Sequence, residues 1–142
     1  MPALTGVAHL TLTVRNLGVS EAWYCELFGL ERVHQEHQPH SDSVLLSDPD
    51  STLVLSLRQH HGAGTARFDE TRTGLDHVSF GVSSRDDLTE WEERLAALRV
   101  DHSKITETPF GSVLVFRDPD HIQLELSCRN GTSPSGGDHR VL

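Results

Sequence analysis

Two segments of the chain read almost alike. GVAHLTLTV at residues 6–14 and GLDHVSFGV at residues 74–82 each carry one histidine at the same point. Adding 68 to Gly6, His9, Val14 and Trp23 gives Gly74, His77, Val82 and Trp91, so the likeness runs past one strand into the segment behind it. An internal repeat sets the architecture before any single element does. The 142 residues suit one ordinary domain, or two half-size modules that share a core.

Within the first copy, HLTLTV alternates strictly, which puts Leu10, Leu12 and Val14 on one strand face and His9, Thr11 and Thr13 on the other. Residues 16–28 then show helical spacing of Leu17, Ala22, Trp23 and Leu27, with Asn16 or Ser20 as caps and Gly29 as the stop. Strand signals resume at 32–37, 43–47 and 52–59, separated by the turn formers QPHSD and DPDS. The order predicted for residues 1–60 is therefore βαβββ.

Residues 61–73 lose periodicity and gather glycine and charge, as a linker does. The second copy, 74–128, repeats the order. A strand over 75–82 leads to Ser84 and Asp87, which resemble a capping box, and Leu88, Trp91, Leu95 and Leu98 mark a buried helical stripe. Strands are expected at 100–105, 112–117 and 122–127, with RDPDH answering DPDS. The tail, 129–142, has little to bury and is expected to be disordered.

The polar rows carry the chemistry. In the second copy Val78, Phe80 and Val82 can pack under a helix while His77, Ser79 and Gly81 face the other way. In HIQLEL, Ile122, Leu124 and Leu126 form the packing face and leave Gln123, Glu125 and Ser127 opposite. If the sheets curl and the modules meet, those rows line a concave cavity where His9, His77 and Glu125 converge. Two imidazoles and a carboxylate suit Fe(II), Mn, Zn, Ni or Co, one ion per site, with coordination positions left for substrate. An isolated histidine at a strand start is ordinarily a surface residue, but the duplication makes His9 and His77 equivalent and so favours ligation. His34, His37, His40, His102, His121 and His139 fall in turns, strand edges or the tail, where solvated surface is the expectation.

Jointly, the strand-one histidine in VAHLTLTV, its partner in LDHVSF and the closing FRDPDHIQLEL resemble the vicinal oxygen chelate superfamily, the glyoxalase, bleomycin-resistance and extradiol-dioxygenase group. The likeness covers residues 6–128. It implies an α+β fold of two paired βαβββ modules forming a curved mixed-sheet half-barrel around a metal cavity, built inside one chain or across a homodimer. It also implies a small substrate that chelates the metal through vicinal oxygens, with Glu125 as ligand and catalytic carboxylate. Glyoxalase-type members usually place a fourth ligand on the last strand of module one. Matching Leu55 to Leu124 and Leu57 to Leu126 puts Ser56 there, a poor ligand, unless a slipped register brings His60 or His61 inward. Thr11, Ser56, Arg58, Ser79 and Gln123 on the polar rows, and Phe110 in a loop that often faces substrate in relatives, complete the expected binding residues.

Three reaction classes stay open. A dioxygenase needs an acid or base near the metal, and the sole tyrosine, Tyr24, sits on a helix. A fosfomycin-type thiol transferase needs cations for a phosphonate, for which Arg58 and Arg117 are the candidates. A lyase or isomerase needs Glu125 or a metal-bound hydroxide to move a proton beside a carbonyl. The rival from another class is a bleomycin-resistance-type binder that sequesters a small molecule without reacting. A net charge of −9 without a basic stripe excludes nucleic acid as a natural partner and suits a cationic ligand. MPALTGVAHL has no basic start followed by an apolar run, no segment is apolar enough for a membrane, and Cys25 and Cys128 lie outside any CxxC spacing. The expectation is a cytoplasmic protein with reduced thiols.

Overall fold

The computed structural model describes residues 1–130. Ten elements follow in order: β1 (Leu10–Thr13), α1 (Leu17–Phe28), β2 (Glu31–Gln38), β3 (Ser41–Ser47), β4 (Val54–His60), β5 (Val78–Gly81), α2 (Arg85–Ala97), β6 (Thr106–Thr108), β7 (Gly111–Arg117) and β8 (Gln123–Arg129). They form two curved four-stranded sheets, ordered β1-β4-β3-β2 and β5-β8-β7-β6. In each sheet the first strand pairs parallel with the last and the remaining pairs are antiparallel. The βαβββ order therefore occurs twice, in an α+β architecture.

The duplication extends to single hydrogen bonds. Val14 N donates to Arg58 O and Val82 N to Ser127 O, each at 2.9 Å. In the two aspartate turns, Asp48 N donates to Leu53 O and Asp118 N to Ile122 O, each at 3.1 Å. Both helices start on a cap the sequence supplies. Asn16 Oδ1 accepts from Val19 N, while Ser84 and Asp87 form the reciprocal capping box. Gly29 ends α1 at φ 68°, a left-handed conformation that costs an L side chain energy and glycine little.

Alternation builds the core. Leu12, Val14, Leu55, Leu57, Val44 and Leu46 face α1, and Leu114, Phe116, Leu124 and Leu126 face α2, all buried. The helix stripe of α1 differs from the predicted one: Ser20, Tyr24 and Leu27 are buried, Ala22 is exposed and Trp23 is half-buried. The reason is that α1 also packs on the second module. Tyr24 Oη donates to the buried Asp118 at 2.8 Å, Ser20 Oγ to Asp120 at 3.3 Å, and Arg15 Nε pairs with Asp120 at 2.7 Å. Phe28 meets Phe80, Trp91 and Phe116 with ring centroids 5.2, 5.6 and 6.2 Å away. Because a carboxylate anchors it, Tyr24 is drawn inward where a spacing argument sees only a helix residue.

The strand predicted at 100–105 lies instead at Thr106–Thr108. Arg99 takes φ 57°, Val100 N still bonds Leu95 O of the helix end, and His102 makes only an isolated bridge to Phe116. Ser103 Oγ accepts from Val115 N, so a side chain replaces part of the ladder there. β8 runs on to Arg129, and the tail beyond residue 130 lies outside the described residues. Cys25 and Cys128 are free thiols. No helix among the described residues is long and apolar enough to cross a membrane.

Candidate functional site

The faces turned away from the helices hold the polar rows. On the first sheet the register sets Thr11 against Ser56 and Leu45, and Thr13 against Arg58 and Ser43. On the second it sets Ser79 against Glu125 and Val115. Ser56 is thus the positional counterpart of Glu125, and the β4 register has not slipped. His61 turns instead to Asp42, with Nε2 at 2.8 Å from Oδ2, while His37 Nδ1 takes the other oxygen at 2.7 Å. This imidazole–carboxylate–imidazole cluster holds Asp42 below the ordinary carboxylate range, chiefly through the hydrogen bond from His61, and raises His61.

Glu125 is half-buried on β8, where its Oε1 accepts from Ser79 Oγ at 2.7 Å. Ser79 lies 2.9 Å from Ser127 Oγ as well. His77 directly precedes β5, so it heads the row that Ser79 continues. Its Nδ1 lies 2.7 Å from Asp76 Oδ1. With that nitrogen carrying the proton, Nε2 presents a lone pair, the arrangement in which a carboxylate orients a metal-binding imidazole. The Asp76 partner was missed by the sequence reading, although the adjacent D-H pair was the available signal. His9 precedes β1 in the equivalent place, but Ala8 stands where Asp76 does, so it lacks this orienting group.

His9 and His77 line one cavity of about 730 Å³, together with Phe28, Phe80 and Trp91. Glu125 lines a second cavity of about 380 Å³, with Ser127 and the loop residue Phe110, which is 74% exposed. Among the described residues of one chain, no three His, Cys, Asp or Glu side chains gather closely enough to hold an ion. His9, His77 and Ser79 thus line one cavity, and Ser79 hydrogen-bonds Glu125, which lines the other, so the three expected ligands do not gather into one cluster. As donors, two imidazoles and a carboxylate fit a borderline divalent metal, and the hydroxyl of Ser56 adds no fourth charged ligand.

The other expected binding residues divide. Thr11 is exposed, Ser56 is buried beside it, and Arg58 is half-buried. Gln123 Oε1 accepts from Arg117 Nη2 at 2.9 Å, and Arg117 forks onto Glu70 at 2.7 and 3.0 Å. That fork holds Glu70 down at about 2, so the linker carboxylate occupies Arg117. Tyr24 is buried against Asp118 and its hydroxyl is pushed well above the usual range, first by burial, which removes it from acid–base work at the polar rows.

A model of the Glyoxalase/Bleomycin resistance protein/Dioxygenase superfamily matches residues 6–126. The chain belongs to that superfamily. Among solved structures it is similar to a glyoxylase/bleomycin resistance protein/dioxygenase domain from Frankia sp., at 41% identity and a TM-score of 0.84, covering 90% of this chain and 100% of that one. The fold is shared with a glyoxalase family protein from Enterococcus faecalis, at 20% identity and a TM-score of 0.72, covering 87% and 97% of the two chains. It is shared also with the fosfomycin resistance protein FosX from Listeria monocytogenes, at 20% identity and a TM-score of 0.70, covering 90% and 94%. One FosX structure holds Mn(II) and 1S,2S-dihydroxypropylphosphonic acid. A search of curated proteins found no match.

Proposed function

We propose that this chain is a divalent-metal enzyme acting on a small substrate that chelates through vicinal oxygens. His77 and Glu125 of one copy hold the ion together with His9 of a second copy. The observation that carries this reading is the prepared face of the second sheet. There Asp76 Oδ1 holds His77 Nδ1 at 2.7 Å, and Ser79 donates to Glu125 on the neighbouring strand. Orienting hydrogen bonds on candidate ligands of paired strands suit a metal centre. His9 supplies the third donor type at the repeat-equivalent position. His77 and Glu125 belong to the paired β5 and β8 of one sheet while His9 heads the other sheet, and His9 is taken from a second copy because no three such side chains gather within the described residues of one chain.

When bound, a divalent ion polarises substrate oxygens and stabilises negative charge developing on them. The chain's own groups do the rest. Glu125 accepts or returns a proton at the carbon next to the chelating oxygens, Ser79 keeps that carboxylate aimed, and Phe110 at the β6–β7 turn shields the substrate from water. Burial of Tyr24 disfavours dioxygenase chemistry and leaves the lyase, isomerase and transferase classes ahead. The Mn(II) in FosX supports manganese as the first metal to test.

A second reading is favoured by the aromatic floor of the larger cavity, which suits a non-catalytic binder of small molecules. Elemental analysis after anaerobic purification, with loading by Mn, Fe, Zn, Ni or Co, separates the two. The enzyme reading expects about one ion per chain in a dimer and its loss in His77→Ala. No retained metal in wild type favours the binder.

A further inference from the structure

We infer that Arg58 is the seat for an oxyanion of the substrate, a carboxylate or phosphate-like group, flanked by the hydroxyls of Thr13 and Ser43. This rests on the reading of the polar sheet faces as substrate faces. Three arginines stand on those faces, Arg58, Arg117 and, exposed at the end of β8, Arg129, and the structure separates them. Arg117 is consumed by Glu70, Gln123 and the carbonyl of His121. Arg58 has no ion-pair partner among the described residues, and its Nε is buried with no hydrogen-bond partner at all. A buried guanidinium N–H without an acceptor is costly, and the half-buried Arg58, with no carboxylate paired to it, leaves its charge for an acceptor from outside.

The neighbours fit that role. Arg58 pairs across the sheet with Thr13 on one side and Ser43 on the other, and adjacent strands lie about 4.8 Å apart. An oxyanion resting on the guanidinium fork thus has a hydroxyl donor within reach on either flank. The row behind it adds Thr11 and Ser56, also hydroxyls. The acid on this row is Glu36, which pairs with Ser43 one strand further out. His60 and His34 share the face without ion pairs to Arg58. The first-sheet face therefore reads as hydroxyls around one cation, in a chain whose net charge is −9.

Spacing defines the ligand. Thr13 is four residues from His9, about 13 Å along the strand at about 3.3 Å per residue, and an arginine side chain spans roughly half of that. A substrate that meets both carries its metal-chelating oxygens at one end and its oxyanion several bonds away. Its chemical class is a small hydroxy- or oxo-acid, or a phosphate or phosphonate analogue.

The test uses metal-free, full-length protein titrated with inorganic phosphate and with acetate at low ionic strength, followed by calorimetry and by phosphorus NMR line width. Wild type binds phosphate saturably, and Arg58→Gln weakens it roughly tenfold, the loss of a charge-assisted fork. Thr13→Val and Ser43→Ala each weaken it about threefold, and they carry the test should Arg58→Gln fail to fold. Preference for acetate over phosphate assigns the seat to a carboxylate, and the reverse assigns it to a phosphate-like group. Unchanged phosphate binding in Arg58→Gln, or in both hydroxyl variants, overturns the proposal. The metal reading fails separately. A wild type that retains no Mn(II) while its phosphate binding depends on Arg58 loses the ion and keeps the seat. A His77→Ala protein that loses phosphate while Arg58→Gln keeps it places the anion elsewhere and overturns the seat.

Discussion

Removal of one oxygen atom, by Tyr24→Phe, tests how the two modules are joined. Tyr24 is fully buried on α1, and its hydroxyl donates to Asp118 Oδ2 at 2.8 Å in the turn between β7 and β8. The other Asp118 oxygen accepts from Asp120 N and Ile122 N, each at 2.8 Å, so the carboxylate is satisfied only while Tyr24 is present. Burial raises the Asp118 carboxyl, and the Tyr24 hydrogen bond pulls it back toward ionisation. A hydrogen bond to a charged group contributes about 1.5–3 kcal/mol, and its loss leaves a buried oxygen unpaired. An unfolding entropy of about 2.1 cal/mol/K per residue turns that into a Tm lower by roughly 5–10 °C for a chain this long. The sign with pH follows from ionisation. Asp118 is charged above its raised folded pKa, where the bond is strong, and neutral below it, where the bond is worth about 1 kcal/mol. The cost of Tyr24→Phe therefore shrinks as the solution is acidified through that pKa. Urea unfolding followed by tryptophan emission is a suitable assay, because the Trp23 ring sits 4.8 Å from Tyr24, edge on. A cost below about 0.5 kcal/mol at pH 7 would refute the reasoning, as would full additivity with Asp118→Asn.

Other substitutions read other parts of the account. In Gly111→Ala, the new Cβ collides with the Cys128 carbonyl at a φ of 146°, so the variant is expected to lose about 3 kcal/mol or more and to express as insoluble protein. Ser79→Ala removes the donor to Glu125 and should leave the melting temperature nearly unchanged while weakening Mn(II) retention about tenfold, read by competition with a chelator. Glu70, depressed to about 2 by Arg117, stabilises the linker above the unfolded carboxyl range and loses that effect as pH falls toward 2. Hydrogen-exchange protection at residues 68–72, relative to the intrinsic rate at each pH, should fall over that window in wild type and be low already at neutral pH in Glu70→Gln.

The parts of the fold that obey a period were legible in the sequence. Strict alternation in HLTLTV and HIQLEL placed Leu12, Leu124 and Leu126 in the core, and Asn16, Ser84 and Gly29 marked helix ends through local hydrogen bonding. The offset of 68 gave the repeated βαβββ order. What escaped depends on contacts between distant residues. Tyr24 is buried because Asp118, 94 positions later, meets its hydroxyl. The β6 strand starts later because Ser103 keeps one backbone bond to Val115 and meets the other with its side chain. Arg58 and Arg117 looked alike as cations, and only the position of Glu70 in the linker distinguishes them. At the candidate site, His9, His77 and Glu125 follow from the duplication, while their distribution over two cavities is a matter of how the modules pack.

The shared site has one direct test, which is metal content after complementation. His9→Ala keeps His77 and Glu125, and Glu125→Ala keeps His9, so neither homodimer has a complete set. A heterodimer refolded from an equal mixture contains one intact set of three. The account expects near-zero Mn(II) in each variant alone and about one ion per heterodimer, which in a statistically paired mixture is about a quarter of the wild-type content. A mixed dimer as empty as its parents, alongside a wild type that holds manganese, would contradict it.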